Sequence, residues 1–386
     1  VELGSPAQAW AGIWVGPRFD KVTQEQTTEH LERRQTEYEI NHARWTQRHA
    51  LWRAGDGQDP NLALNAERAL FQMIRFYRSA YGTGGYQVEG DETTLRTMIH
   101  PLEYALAYRV MYGMPVTPEP DVEALAARYV MTTLYQDGRA VNQGFSVSDG
   151  TMTATQFARA WALTPEPYRP AVKAAWDRTL GRPDQVNLPD LRTAIYTWLH
   201  YPEQDAPAQT AAMPRVWHAP DKGLVVFRNR FQDGDDIVLQ TYTKGPVADG
   251  QHHHDAGALR LHGLGFPWAF TGLYRGGQYL RQMQSVVHLP DLVSNTTLFG
   301  TVTQVNADEK TGSGSATLDL SLLFTTRHPP DSKEPLIYHS GDLRRELLAE
   351  TGIRATRTVA VDYSGQSGSP AVIVLVDRIT SNHKKV

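Results

Sequence analysis

Cysteine is absent from this 386-residue chain, which excludes a disulfide framework, a thiolate metal site and a cysteine nucleophile. The same absence fits an exported bacterial protein as well as a cytosolic one. Charge of one sign is not in excess either. The 38 basic and 42 acidic residues are intermixed and leave a net charge of −4, so there is no electrostatic footprint for nucleic acid. No apolar run is long enough to cross a bilayer. The chain opens on Val1-Glu2-Leu3-Gly4, with neither Met nor the apolar core of a signal peptide, and a processed or trimmed start is expected. What is present is an ordinary globular composition, 41% hydrophobic and 21% charged, enough to bury a sizeable core in two domains or one large one. Nine Trp, 17 Tyr and 11 Phe make the chain rich in aromatics, which suits sugar-stacking surfaces, although the ordinary place of any one of them is the core or its rim.

The pattern changes near Pro214. Before it, the apolar spacing is helical. Residues 23–53 read as a long, charged and mostly solvated helix, or as an arm against a partner. Leu62, Leu64, Leu70, Phe71, Ile74, Tyr77 and Tyr81 recur at steps of three and four after Pro60. Windows 95–112, 122–134, 153–163, 168–180 and 191–201 follow the same rule, most of them punctuated by Pro or Gly. After Pro214 the period is two. Strand-like runs stand at 224–227, 237–240, 258–261, 317–320 and 371–376, separated by turns such as Asp233-Gly234-Asp235 and Thr311-Gly312-Ser313-Gly314. Strands that follow one another without helices between them predict antiparallel sheets. The expectation is an α+β multidomain chain, with a helical domain over 1–213, an antiparallel β-sandwich over 214–386, and a shared cleft.

Between two of the strand-like runs lies Gln251-His252-His253-His254-Asp255-Ala256-Gly257. Imidazole titrates near neutrality and is also the commonest metal ligand. Such a run therefore points to proton transfer, metal binding or both. On a strand, successive side chains alternate faces, which puts His252 with His254 and His253 with Asp255. The bland alternative is a solvated turn rich in histidine.

Several stretches resemble the heparinase II/III-like polysaccharide lyases. Gly84-Gly85-Tyr86-Gln87-Val88-Glu89-Gly90-Asp91 is similar to that family's Gly-rich, Glu-Gly turn, and Pro101 to Arg109 is similar to the helix after it. Asp137-Gly138-Arg139 opens a loop like the one that runs toward the family's cleft. The run His252 to Gly257, followed by Ala258-Leu259-Arg260-Leu261, resembles the family's His-x-His-x-Asp-(Ala/Asn)-Gly segment, and Val374 to Ile379 resembles its late strand. Aligned on Asp255-Ala256-Gly257, Gln251 and His253 take the two histidine positions; shifted by one, His252 and His254 take them. Both registers stay open.

The resemblance implies an α/α toroid, here incomplete or lacking an N-terminal part, followed by the sandwich. It also implies β-elimination at a uronic acid. The C5 proton there is weakly acidic, so the site must neutralise the neighbouring carboxylate, remove the proton and protonate the leaving oxygen. His252 and His253 are candidates for base or neutraliser, Tyr86 and Tyr135 for proton donor, and Glu89 for positioning. Arg96, His100, Arg139, Asn142 and Gln143 are candidates for binding an acidic polysaccharide, with Lys244 a further cation. His254, Asp255 and His288 could hold Zn²⁺ or Ca²⁺, although Phe270-Thr271-Gly272-Leu273 stands where the family's ligand Asp is expected. No organic cofactor is expected, a secreted or periplasmic location fits, and a homo-oligomer is left open. Two rivals remain. One is a glycoside hydrolase, for which Glu89 and Asp91 are the obvious carboxylates but stand close together for flanking a sugar. The other is a glycan-binding protein that has lost catalysis.

Overall fold

A computed structural model describes residues 125–133, 152–180, 191–202, 213–243, 255–269, 300–324, 326–327, 348–349 and 352–382, with single positions between 81 and 113 and between 285 and 289. Four helices are delimited among these residues: α1 (Leu125–Met131), α2 (Ala154–Leu163), α3 (Arg169–Leu180) and α4 (Leu191–His200). Ahead of them, Leu95, Met98, Leu102, Ala105, Leu106 and Arg109 are also helical, at the predicted spacing. The start of α2 is fixed by a capping box. The Thr153 hydroxyl accepts from the Gln156 amide (3.3 Å), and the Gln156 side chain accepts from the Thr153 amide (2.7 Å). Its end falls at Thr164, just before Pro165, where a helical conformation is disfavoured. The helices close on one core in which Phe157 stacks on Trp176 at 5.4 Å and Trp176 meets the edge of Tyr201 at 5.7 Å. No helix among the described residues is long and apolar enough to cross a membrane.

The second half is antiparallel. One sheet has the order β1 (Val216–Ala219), β2 (Leu224–Arg228), β3 (Val238–Tyr242), β4 (Ala258–Gly263), β5 (Phe266–Ala269). A second has the order β11 (Val372–Ser381), β10 (Ile353–Asp362), β7 (Gly314–Asp319), β6 (Thr301–Ala307). A short pair, β8 (Thr326–Arg327) and β9 (Leu348–Ala349), stands apart from both. Because strand side chains alternate faces, β2 splits cleanly. Val225 and Phe227 turn toward Ala316, Leu318, Val359 and Val361 of the second sheet and build the sandwich core. Leu224 and Val226 turn the other way, with Ala219, Val238 and Tyr242, and pack against Tyr86 from the helical half. The first sheet is thus the middle layer between helices and second sheet.

Gly312 makes the close approach between the sheets possible. It has φ +79°, and a Cβ there would lie 1.9 Å from the Arg228 carbonyl oxygen, so a turn glycine is required both by conformation and by space. The described residues support an α+β chain with a helical part and two packed antiparallel sheets. Whether the helices close into a toroid lies beyond the four delimited here.

Candidate active site at the junction of helices and sheet

The turn Gly84-Gly85-Tyr86 is one place where the helical half touches the first sheet. A Cβ on Gly84 would sit 2.2 Å from the Cβ of Ala219 on β1, so the turn backbone lies directly on the strand. This contact lets the Tyr86 ring pack edge-on against Trp217 (6.3 Å) and Tyr242 (5.8 Å). Gly84→Ala is therefore expected to push the turn off the sheet at a cost of about 1–3 kcal/mol. Urea denaturation of the purified variant reads this, and an unchanged midpoint would show that the close packing is not needed.

Below this contact the sheet carries a buried polar row. Register places Val226 of β2 opposite Gln240 of β3, and Gln240 opposite Arg260 of β4. Arg228, on the same face, donates Nη2 to the carbonyls of Met131 (3.1 Å) and Thr133. Gln240 donates more weakly to the Thr132 carbonyl at 3.5 Å. These are the carbonyls that the end of α1 leaves without helical partners, and a cation suits the negative end of the helix dipole. Complete burial lowers the Arg228 pKa to about 10, desolvation being the main cause, so the group stays protonated at neutral pH. The Phe231 ring lies against the guanidiniums of Arg228 (4.4 Å) and of Arg178 from α3 (4.9 Å).

The segment after the histidine run is anchored from both sheets. Asp255 is buried, and its Oδ2 accepts from Arg260 Nη2 at 2.7 Å. The Gly257 amide donates to the Tyr242 carbonyl at 2.6 Å, and the Arg260 guanidinium lies 5.1 Å from the Tyr242 ring centre. From the second sheet, Arg357 of β10 makes a bidentate pair with Asp377 of β11 (2.7 and 2.8 Å). Its Nη1 donates to the carbonyls of Gly257 (2.7 Å) and Ser285 (2.8 Å). One guanidinium thus ties the residues just after the histidine run to those just before His288. Tyr242 is the meeting point, with Tyr86 on its ring and Gly257 on its backbone.

Of the predicted site residues, the described ones are Tyr86 and Asp255. His252, His253, His254, His288, Tyr135, Glu89, Arg96, His100, Arg139, Asn142 and Gln143 lie outside the described residues. Tyr86 is only 1% exposed and packs within the junction. Among the described residues no group of three His, Asp or Glu is placed to hold a metal ion. The Asp255 carboxylate gives Oδ2 to the Arg260 guanidinium. The sequence reading singled out neither Arg260 nor Arg357 and Asp377 as site residues. A signal existed for the first, since an Arg inside the apolar run Ala258-Leu259-Arg260-Leu261 demands a buried partner. Asp377 likewise interrupts the apolar strand Val374-Leu375-Val376.

No protein-family model matches the sequence, and no curated protein matches it. Solved structures do. A heparinase III gene product aligns over 90% of this chain and 46% of its own, with a TM-score of 0.53 and 14% identity. A second heparinase III gives 89% and 47%, with a TM-score of 0.53 and 11% identity. The heparan sulfate lyase HepC from Pedobacter heparinus gives 90% and 48%, again at 0.53 and 11%. The chain spans about half the length of these proteins. At such identities the likeness is one of fold, and it is the fold of heparinase III and heparan sulfate lyase structures that this chain is similar to.

Proposed function

We propose that the chain is a polysaccharide lyase that cleaves a uronic-acid-containing polysaccharide by β-elimination. The observation that carries this reading is the convergence at Tyr242. The Gly84-Gly85-Tyr86 turn of the helical half and the Asp255-Ala256-Gly257 step behind the histidine run meet there. The described residues directly after the histidine run are thereby held at the junction of the two halves, and the fold likeness supports the same class of reaction.

In this mechanism a histidine of the run, His252 or His253, takes the C5 proton or neutralises the adjacent carboxylate. Stabilising that carboxylate matters most, because negative charge builds on it as the proton leaves. Tyr135 is the better candidate for protonating the leaving oxygen, since Tyr86 is sealed within the junction; Glu89 would position one of these groups. Arg96, His100, Arg139, Asn142 and Gln143 would bind the acidic chain. Zn²⁺ or Ca²⁺ held by His254, Asp255 and His288 is a separate proposal, read by metal analysis of the purified protein, and no step here uses it. A secreted or periplasmic location would suit a polymeric substrate.

The sealed position of Tyr86 makes a specific forecast. Tyr86→Phe is expected to keep the turnover rate within about threefold of the original, whereas loss of a general acid costs on the order of 10²–10⁴. A drop of the second size would return the donor role to Tyr86. The reading as a whole is tested by incubating the protein with a panel of acidic polysaccharides while following ultraviolet absorbance. An unsaturated uronate chromophore supports elimination. New reducing ends without it would mean hydrolysis, and binding without either would mean a glycan-binding protein.

A further inference from the structure

The hairpin between β4 and β5 carries an aromatic ledge that the proposed cleavage site does not use. Its turn, Leu264-Gly265, has both residues at positive φ (54° and 75°), as a two-residue hairpin loop requires. Beyond it Phe266 and Trp268 are 60% and 61% exposed, and Leu264 is 47% exposed. The two rings meet edge to face at 5.7 Å. The Trp268 indole N–H is committed to the Gly263 carbonyl at 2.9 Å, which fixes the ring and lowers the ordering cost of binding against it.

The size of the ledge argues for its occupant. At these exposures three side chains offer roughly 350 Å² or less, given about 150–250 Å² for a whole aromatic side chain. A stable protein partner needs about 800 Å² on each side. A sugar ring needs far less, and its apolar C–H face suits a flat aromatic surface. The Gly265 amide donates to the Gly234 carbonyl at 2.9 Å, which brings the exposed loop residues Gln232, Asp233 and Asp235 beside the turn. Carboxylates and amides of this kind accept and donate hydrogen bonds to hydroxyls. Arg230 pairs with both Asp233 (2.6 Å) and Asp236 (3.1 Å), and Asp235 adds a further carboxylate, so the rim is net acidic. Such a rim repels a uronate and favours an uncharged ring.

We propose that Phe266 and Trp268 form a stacking platform for an uncharged sugar ring of the same polysaccharide, at the far end of β4 from Asp255. The six residues of β4 separate the two ends by roughly 20 Å at about 3.4 Å per residue. The proposal rests on the polysaccharide reading above but does not need cleavage. It gives the chain a second hold on a polymer that alternates charged and uncharged rings.

The test is affinity electrophoresis of the full chain in gels cast with hyaluronan, in which a uronate alternates with an uncharged N-acetylhexosamine. Gels cast with polygalacturonate, in which every ring is charged, are the comparison. Hyaluronan is expected to retard the protein, and Trp268→Ala and Phe266→Ala are each expected to weaken that retardation about tenfold, or ~1.4 kcal/mol. Mobility in polygalacturonate should not respond to either substitution. The proposal is overturned if hyaluronan leaves the original protein unretarded, if Trp268→Ala migrates like the original, or if the loss is equal in both polymers. A lower sedimentation coefficient for Trp268→Ala would also overturn it, by making the ledge a contact between copies. Binding in the gel without any chromophore would sink the cleavage reading and leave the platform standing.

Discussion

Replacing His252, His253 and His254 together with Ala is expected to lower the rate of chromophore formation by about 10²–10⁴-fold, the range for loss of a positioned acid or base. Asp255 and Gly257 are held by Arg260, Tyr242 and Arg357, so the segment behind the histidines is fixed from two sheets. Proton transfer needs groups held at a defined reach, and the prediction is that this anchoring serves the run. The single variants carry more information than the triple one. If strand alternation holds through the run, His252→Ala and His254→Ala should behave alike and differ from His253→Ala. A triple variant that folds normally and retains full activity would remove the run from the mechanism.

Arg260→Met should produce the largest loss of stability in the molecule's second half, about 3–5 kcal/mol, because it leaves Asp255 charged and buried without its guanidinium. Both side chains are nearly inaccessible, at 1% and 4% exposure, so solvent cannot take over the lost contact. The pair itself is a weaker source of stability than this figure implies, since each charge had to be stripped of water first. The double variant Arg260→Met with Asp255→Ala should therefore recover much of the loss, a coupling that a double-mutant cycle by urea denaturation measures directly. A shift of less than about 1 kcal/mol in Arg260→Met would mean that the segment behind the histidine run is held by other contacts.

Much of the fold was legible where burial gives a clean period. The runs at 224–227 and 258–261 are within β2 and β4, whose apolar residues face one of two cores, and 371–376 overlaps β11, where Val372, Val374, Leu375 and Val376 are exposed. The strand β10 was not named, and its inward positions explain why. Ala355 and Arg357 interrupt the apolar alternation of Ile353, Val359 and Val361, and Arg357 is there to hold backbone carbonyls rather than to fill space. Helix ends slipped for similar reasons. Within the window 122–134 the helix ends at Met131, where the hydroxyls of Thr132 and Thr133 bond back to the carbonyls of Tyr129 and Val130, both at 2.7 Å. Arg228, distant in sequence, then takes the carbonyls beyond. The window 168–180 begins one residue early, since Glu166–Tyr168 form a 3₁₀ turn.

At the site, residue types were readable but partners were not. The histidine run is visible in one line of sequence, whereas the clamp on the residues after it joins positions about a hundred apart, as Arg357 and Gly257 do. Nothing local in the sequence predicts that pairing. Tyr86 shows the opposite case. Its turn was visible, but its burial between Trp217 and Tyr242 depends on strands far along the chain.

The central claim is elimination at a uronate, and proton NMR of the digested polysaccharide tests it most directly. Elimination creates a carbon–carbon double bond in the ring at each new non-reducing end. The account predicts a vinylic proton resonance that grows in step with the number of chain ends, for the acidic polymer that the protein degrades. New chain ends that accumulate with saturated sugar signals and no vinylic proton would contradict it.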